Sequence, residues 1–270
     1  MTSPGTPKAV VGFVGIGDQG APMAARIGSA GFDLAVWARR EAAYDALGDA
    51  PHRRAASMAA VADGADVVCL CVRTDRDVEE VGGEVLAGMA PGSTLLVHST
   101  VRPATVVALA AKAGEVTVLD APVSGGRFAA AAGTLVTMVG GDPEAIERVR
   151  PVLAAHSDRI VHLGPLGSGL VAKAVNNGLF TAQLGLAASA LAAGTALGLD
   201  PDRLAEVLTG GSARSSAMEM VVRLPDRATL ADRVADLLSK DVAILASLGA
   251  DDADVAELVR TARHFLPPPA

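Results

Sequence analysis

An apolar segment in the second half of the chain contains two residues that suit proton transfer. Lys173 and Asn177 stand four positions apart, so their side chains share one face if the segment is helical. The lysine is a charged residue among apolar neighbours, which include Leu170, Val171 and Ala174. A lysine in a dry pocket can act as a general acid, because desolvation lowers the pKa of an ammonium group. A lysine on a helix is more often merely solvated, and the sequence leaves that alternative open.

The first apolar run ends in the motif G-I-G-D-Q-G, which contains Gly15, Gly17 and Gly20, and a helical pattern follows over 21–30. In such a strand-turn-helix unit the first glycine makes a tight turn and the second admits a pyrophosphate to the backbone. The third lets the helix pack against the strand, and the helix N-terminus supplies N–H groups for the phosphate charge. We therefore predict that Gly15, Ile16, Gly17 and Gly20 bind a dinucleotide, with a purely structural glycine turn as the alternative.

The second predicted strand leads into Ala38, Arg39 and Arg40, where NAD-binding proteins carry an acidic residue. Two guanidinium groups at that point favour the 2′-phosphate of NADP through charge-assisted hydrogen bonds. We therefore predict NADP as the cofactor, bound in part by Arg39 and Arg40, with NAD as the alternative. Solvated arginines at a helix start would look the same, and Glu41 would weaken the positive field.

Short β-rich runs alternate with amphipathic segments from residue 9 to about residue 163, which is typical of a parallel α/β sheet. Strands are predicted at 9–14, 33–37, 66–72, 94–98, 117–119, 135–139 and 159–162. After Gly164 only helices are predicted, at 169–199, 201–208, 229–248 and 252–263. The predicted fold class is α/β, with an N-terminal Rossmann doubly wound sheet followed by an all-helical C-terminal domain. The two domains are expected at 1–165 and 166–270, joined by a glycine-rich hinge.

The bulk composition excludes several function classes. The chain has 270 residues, of which 50% are hydrophobic, so a folded protein is expected rather than disorder. Its net charge is -7 and it has no basic block, so the sequence does not predict a basic surface for binding nucleic acid or an anionic membrane. Cys69 and Cys71 alternate within one predicted strand, too close for an ordinary disulfide. Because residues 1–8 also lack the pattern of a signal peptide, a reduced, cytoplasmic location is expected.

The stretch 179–199 carries no charge and has the length of a membrane span, about 20 residues. Gly185, Ser189 and Ala193 recur within it at four-residue spacing, which lets helices approach closely. We interpret the stretch as a helix buried between domains or subunits and expect no membrane association. Because one thin helical domain cannot cover this helix on every side, we predict a homodimer or homotetramer.

Further motifs follow in an order and spacing that run through most of the chain. They are G-F-V-G-I-G-D-Q-G-A-P-M at 12–23, H-S-T at 98–100, D-A-P-V-S-G-G at 120–126, G-T-L-V-T-M-V-G-G at 133–141, K-A-V-N-N at 173–177 and K-D at 240–241. With them the sequence resembles the β-hydroxyacid dehydrogenase family, which includes 3-hydroxyisobutyrate dehydrogenases, tartronate semialdehyde reductases and glyoxylate or succinic semialdehyde reductases. The resemblance implies a helical domain like that of 6-phosphogluconate dehydrogenase, and dimers or tetramers formed through it.

The resemblance also implies how a small carboxylate substrate is held. It places the substrate carboxylate on Ser124 and on the backbone N–H groups of Gly125 and Gly126, with Asp241 completing the pocket. A Ser-Gly-Gly turn suits this task because it presents several donors without a side-chain obstruction. The implied activity is hydride transfer between NADP or NAD and a small 3-hydroxy acid or its semialdehyde, without a metal ion.

The same resemblance gives roles to the proton-transfer pair and to three cofactor contacts. Lys173 would give a proton to the carbonyl oxygen during reduction, or assist hydroxyl deprotonation during oxidation, while Asn177 orients that oxygen. Val72, Thr100 and Lys240 would contact the cofactor.

The chain departs from the family pattern near the expected site. Asp18 and Gln19 replace apolar residues of the glycine loop, Arg73 stands in place of a proline, and Arg233 in place of an aromatic residue. A carboxylate beside a pyrophosphate is repulsive unless it faces solvent. Two other functions stay open: an imine reductase, in which an aspartate or tyrosine often replaces the lysine, and a dinucleotide-binding module without catalysis. The intact Lys173 argues against the first.

Overall fold

The computed structural model describes residues 8–223 and 230–266, with the backbone alone for 230–237. The chain divides into two compact units, Met1–Lys173 and Ala174–Ala270. The division falls inside a long helix, later than the boundary expected after residue 165. The N–H groups of Gly167 and Leu170, at the start of this helix, are hydrogen-bonded to a carboxylate of the N-terminal unit, which draws its first turns into that unit.

The N-terminal unit is built on a mixed sheet. Its strands are Val10–Val14 (β1), Asp33–Trp37 (β2), Arg53–Arg54 (β3), Val67–Leu70 (β4), Thr94–Val97 (β5), Thr117–Asp120 (β6), Val123–Ser124 (β7), Leu135–Gly140 (β8) and Ser157–Gly164 (β9). Within the described residues their order is β3-β2-β1-β4-β5-β6-β8-β7, with β9 beside β8. The parallel pairing from β3 to β6 confirms the predicted Rossmann arrangement.

One edge of the sheet differs from the prediction. Strand β8 runs antiparallel to β6 and β7, so the expectation of a wholly parallel sheet is wrong there. The only helix between β7 and β8, Gly126–Ala132 (α5), has seven residues, about 10 Å in length. It is too short to return the chain along the six residues of β8, which extend about 20 Å. The chain therefore turns back on itself, and β7 was too short to be predicted.

Helices cover both faces of this sheet. Besides α5, they are Gly20–Ser29 (α1), Met58–Ala62 (α2), Asp75–Gly88 (α3), Pro103–Ala110 (α4) and Pro143–Ala154 (α6), with a 3-10 helix at Glu41–Leu47. Every residue of β4 and β5 is buried, as expected of central strands in a parallel sheet. Cys69 lies in one hydrophobic cluster with Phe13, and Cys71 packs against the same cluster. Both cysteines are free thiols.

The C-terminal unit is helical, which confirms the predicted class. Its helices are Ser168–Ala196 (α7), which begins in the N-terminal unit, Pro201–Gly210 (α8), Ser216–Arg223 (α9), Leu230–Leu248 (α10) and Ala253–Phe265 (α11). Helix α9 was not predicted, and residue 229, the predicted start of α10, lies outside the described residues. Glycines of α7 allow close packing: a Cβ at Gly185 would lie 2.8 Å from Phe265 Cβ.

Helix α7 is also long and apolar enough to cross a membrane by length and composition. A third of its most apolar window, 33%, is buried within the structure. Such a helix is weak evidence for a membrane span, because core helices pass the same test.

Candidate active site

The glycine loop connects β1 to α1, as a dinucleotide-binding loop requires. Gly15 has a φ of 98°, and a Cβ there would lie 2.1 Å from the carbonyl oxygen of Cys71. A Cβ at Gly20 would lie 2.0 Å from the carbonyl oxygen of Gly15, so glycine alone lets α1 begin so close to β1. At Gly17 no described atom lies within 4 Å of a Cβ position, which leaves the loop open to a ligand. These residues therefore fit a dinucleotide pyrophosphate.

The other residues of the loop leave its backbone available. Ile16 is buried in the core beside β1, so only its backbone remains for a ligand. Asp18 is exposed, and its Oδ1 lies 3.6 Å from Nη1 of Arg127. Solvent and this guanidinium both screen the carboxylate, which reduces the repulsion expected from Asp18.

Arg39 and Arg40 are exposed one residue beyond the end of β2. The neighbouring Glu41 forms an ion pair with Arg54 of β3, which offsets its negative charge. Arg54 also lies over the ring of Tyr44, 4.4 Å from the ring centroid. Arg54 could not be recognised from the sequence, because a two-residue strand leaves no periodic signal.

Arg39 also lies near an acidic residue at the start of α3. The pKa of Asp77 is lowered, first by the hydrogen bond from the Thr74 hydroxyl and further by the charge of Arg39. Asp77 and Thr74 form a capping box, so this carboxylate is already held by the helix start.

The H-S-T motif connects the ends of three neighbouring strands. His98 Nδ1 donates to the carbonyl oxygen of Ala121 at 2.7 Å, since a carbonyl oxygen can only accept. The backbone N–H of Val72 donates to Ser99 Oγ at 2.9 Å. Thr100 follows, half-buried. Val72 and Thr100 therefore lie at the carboxyl ends of the adjacent parallel strands β4 and β5, the edge at which α/β sheets bind ligands.

The Ser-Gly-Gly turn begins at the last residue of β7 and leads into α5. Ser124 is half-buried in β7, and Gly125 and Gly126 have φ values of 128° and 68°. These left-handed conformations favour glycine and leave the backbone of the turn uncovered by side chains. A Cβ at Gly125 would lie 2.6 Å from Ala129 Cβ, so the sharp entry into α5 depends on glycine.

Lys173 and Asn177 lie on helix α7 and are both about nine-tenths buried, with exposures of 9% and 8%. Asn177 Nδ2 donates to Asp241 Oδ2 at 2.5 Å, and Asn177 Oδ1 accepts from Asn176 at 3.0 Å. Lys240 Nζ lies 3.5 Å from Asp241 Oδ1. The amide of Asn177 is therefore fixed in orientation, and the C-terminal unit brings Asn177, Lys240 and Asp241 together. The side chain of Arg233 lies outside the described residues.

Two family models match the chain. The NAD-binding domain of 6-phosphogluconate dehydrogenase matches residues 10–164, and the NAD-binding domain of NADP-dependent 3-hydroxyisobutyrate dehydrogenase matches residues 167–266. Together they cover both the sheet and the helices described above.

Curated relatives and solved structures agree with these models. The NAD-dependent L-serine dehydrogenase of Pseudomonas aeruginosa is 40% identical over 78% of this chain and 72% of its own length. The 3-hydroxyisobutyrate dehydrogenase of the same organism is 39% identical over the same shares, 78% and 72%. The structure of Mycobacterium tuberculosis 3-hydroxyisobutyrate dehydrogenase with L-serine is 29% identical, with a TM-score of 0.79 over 96% of this chain and 94% of that one. With its glycine loop, Ser-Gly-Gly turn and helical second unit, the chain belongs to the NAD(P)-dependent β-hydroxyacid dehydrogenase family.

Proposed function

We propose that this protein transfers a hydride between NADP and a small 3-hydroxy acid or its semialdehyde, with Lys173 as the general acid and base. The observation that carries the proposal is the buried lysine of α7, one helical turn before an asparagine whose amide is fixed by Asp241. Family membership supports the reaction class, NAD(P)-linked oxidation and reduction of hydroxy acids. It does not favour the imine reductase or the non-catalytic module.

The proton and the hydride leave the substrate separately. During oxidation the substrate hydroxyl gives its proton to the uncharged Nζ of Lys173 while the C–H hydride departs, and during reduction the ammonium returns the proton to the carbonyl oxygen. A nicotinamide cofactor, when bound, would accept or supply the hydride. Asn177 uses one N–H for Asp241 and has a second N–H with which to orient the substrate oxygen.

The two relatives indicate the substrate class. L-serine and 3-hydroxyisobutyrate both have a primary alcohol, a substituted second carbon and a carboxylate. We propose a substrate of this type, held by its carboxylate at Ser124, Gly125 and Gly126, with Val72, Thr100 and Lys240 on the cofactor. The experiment is an absorbance assay at 340 nm with both cofactors against L-serine, 3-hydroxyisobutyrate, short semialdehydes and cyclic imines. Turnover of imines alone, or of nothing, would contradict the proposal.

We predict that NADP is preferred because of Arg39 and Arg40. Replacing both with alanine should weaken NADPH binding by about 1.5–3 kcal/mol, the scale of charge-assisted hydrogen bonds, and should change NADH binding little. The measurement is a fluorescence titration of each cofactor with the parent and the variant.

The control is replacement of Arg150 and Arg260, which form exposed ion pairs with glutamates one turn away, also by alanine. This variant loses the same charge, so a general electrostatic effect would weaken NADPH binding equally in both variants. Equal losses for NADPH and NADH, or tighter NADH binding by the parent protein, would exclude the preference.

We also propose that the protein is a homodimer or homotetramer assembled through α7. One face of this helix presents four exposed apolar residues at helical spacing, each exposed by 43–62%: Val171, Val175, Leu179 and Leu186. Burial of such a stripe in a subunit interface would remove apolar surface from water. We propose likewise that the protein acts in the cytoplasm without membrane or nucleic acid, for which its net charge of -7 and its two free cysteines are the support.

Replacing both Leu179 and Leu186 with lysine in one variant should therefore weaken self-association at least tenfold, because two charges would be placed in an apolar contact. Sedimentation from nanomolar to micromolar concentration measures the association. Val107→Lys is the control, since this exposed valine lies on α4 in the N-terminal unit. A parent protein that stays folded and monomeric at micromolar concentration would rule out the assembly.

A further inference from the structure

The carboxylate of Asp120 is fully buried at the end of β6, where it meets the start of helix α7. Oδ1 accepts the backbone N–H of Gly167 at 2.6 Å, and Oδ2 accepts that of Leu170 at 2.8 Å. Both oxygens are therefore bonded to the first turn of the helix whose next turn contains Lys173. The family resemblance gave Asp120 no role, and its partners lie some fifty residues away in sequence.

The surroundings of Asp120 are shaped to hold this contact. A Cβ at Gly140 would lie 2.3 Å from Asp120 Oδ1, and a Cβ at Gly169 would lie 2.8 Å from Oδ2. Gly169 also sits against Met138, whose carbonyl oxygen would be 2.4 Å from that Cβ. Because both positions are glycine, no side chain there keeps α7 away from the sheet.

The charge of the carboxylate suits its position. The first N–H groups of a helix lack partners within the helix, and a negative group there interacts favourably with the helix dipole. Helix α7 has 29 residues, and the backbone N–H of Gly169 also stabilises the Asp120 anion, whereas that of Ser168 donates to the carbonyl oxygen of Pro165 at 3.0 Å. Burial raises the pKa of Asp120, while the backbone hydrogen bonds from Gly167 and Leu170 oppose that rise by stabilising the anion.

We propose that Asp120 is a positioning residue: by fixing the first turn of α7 to the end of β6, it sets the place of the Lys173 ammonium. The inference rests on the proposed role of Lys173 as general acid and base. A shift of about 1 Å in a reacting group can cost about a hundredfold in rate, so an anchor one turn away affects the rate strongly. In this role Asp120 acts through the backbone of α7 and does not contact substrate or cofactor.

The test is Asp120→Asn. Asparagine keeps one carbonyl oxygen for one N–H, but its NH2 group then faces the second N–H, so the first turn of α7 must shift. We expect kcat to fall about tenfold to a hundredfold, with the Kd for NADPH unchanged within twofold. A fluorescence titration gives the Kd, and thermal unfolding verifies that the variant is folded at the assay temperature.

Asp142→Asn is the matched control. Asp142 Oδ1 accepts the N–H of Ala145 at 2.8 Å and caps α6, a helix without a proposed site residue. The same chemical change at this second helix start should leave kcat unchanged within twofold. If Asp120→Asn is unfolded, Asp120→Glu serves in its place, because it keeps the charge and displaces the oxygens by one methylene; the same fall in kcat is expected.

The double variant with Lys173→Met separates the proposals. If Asp120 acts through Lys173, Asp120→Asn should lower the residual rate of Lys173→Met by less than twofold. Equal fold-losses in both backgrounds, or a lowered melting temperature with unchanged kcat, would overturn the positioning role alone. An unchanged rate in Lys173→Met alone would overturn the role of Lys173 and the inference with it.

Discussion

Replacing Lys173 with methionine should slow hydride transfer by about 10²- to 10⁴-fold and leave the fold and the dinucleotide affinity nearly intact. Methionine keeps the length and much of the packing of this buried side chain, whose exposure is 9%, but it has no proton to exchange. Without that proton the substrate oxygen must take up or release charge unaided, which raises the barrier of the chemical step. Asn177 and Asp241 remain in place, so substrate orientation is preserved.

Single-turnover measurement in a stopped-flow instrument isolates the hydride step from product release. The control is Lys112→Met, because Lys112 is exposed beyond the end of α4. A rate within a few-fold of the parent would show that Lys173 is structural. A parent protein that binds the dinucleotide but turns over none of the hydroxy acids, semialdehydes or imines would instead indicate a non-catalytic module.

Acid should destabilise the fold between pH 6.5 and about 4 through a buried histidine pair. His98 and His156 lie edge to face with ring centroids 5.4 Å apart, and their Nε2 atoms have no hydrogen-bond partner among the described residues. Burial lowers the pKa of His98 from 6.5 to about 4, although its hydrogen bond to Ala121 opposes the change. Burial also lowers the pKa of His156, and the charge of His98 adds to that effect.

Stability falls on acidification because the unfolded chain binds the proton more readily. Below pH 6.5 the unfolded chain takes up a proton at His98 while the folded chain does not. The free energy of unfolding therefore decreases as the pH is lowered, until the folded pKa is reached. For His98 alone the loss is about 3 kcal/mol, at 1.36 kcal/mol per pKa unit. Urea unfolding at pH 7, 6, 5 and 4 measures it.

His98→Gln should be less stable than the parent at pH 7 but should lose less stability on acidification, because the group that gains a proton on unfolding is gone. His264→Gln, at an exposed position on α11, should keep the slope of the parent. Since carboxylates contribute equally to all three proteins, the differences in slope isolate the histidine. Parallel slopes for His98→Gln and the parent would refute this origin of acid sensitivity.

Sequence patterns predicted the elements that are long and periodic. The parallel strands β1, β2, β4, β5 and β6 and the long helix α7 follow from apolar runs whose length and spacing are typical of buried elements. The elements that were missed have no such pattern. Strand β3 is two exposed arginines, β7 is two residues beside a glycine turn, and α9 follows a stretch rich in glycine and serine.

The site was predictable to the extent that its residues are neighbours in sequence. The glycine loop and the Lys173–Asn177 spacing could be interpreted locally, because a turn and one helical repeat determine them. Asp120 and His98 could not, because their roles depend on groups from other strands and helices. The ion pair of Glu41 with Arg54 could not be predicted from the sequence either, because it depends on the pairing of β3 with β2.

The two free cysteines near the glycine loop have a practical consequence for chemical labelling. Burial raises the pKa of both thiols, that of Cys71 to about 12, so neither forms a significant amount of thiolate at neutral pH. Maleimides and iodoacetamides react with the thiolate, so they should spare the native protein. A cysteine introduced at an exposed site, such as Val207 on α8, would then be the one that reacts. Fluorophores or spin labels for distance measurements could therefore be attached without first removing Cys69 and Cys71.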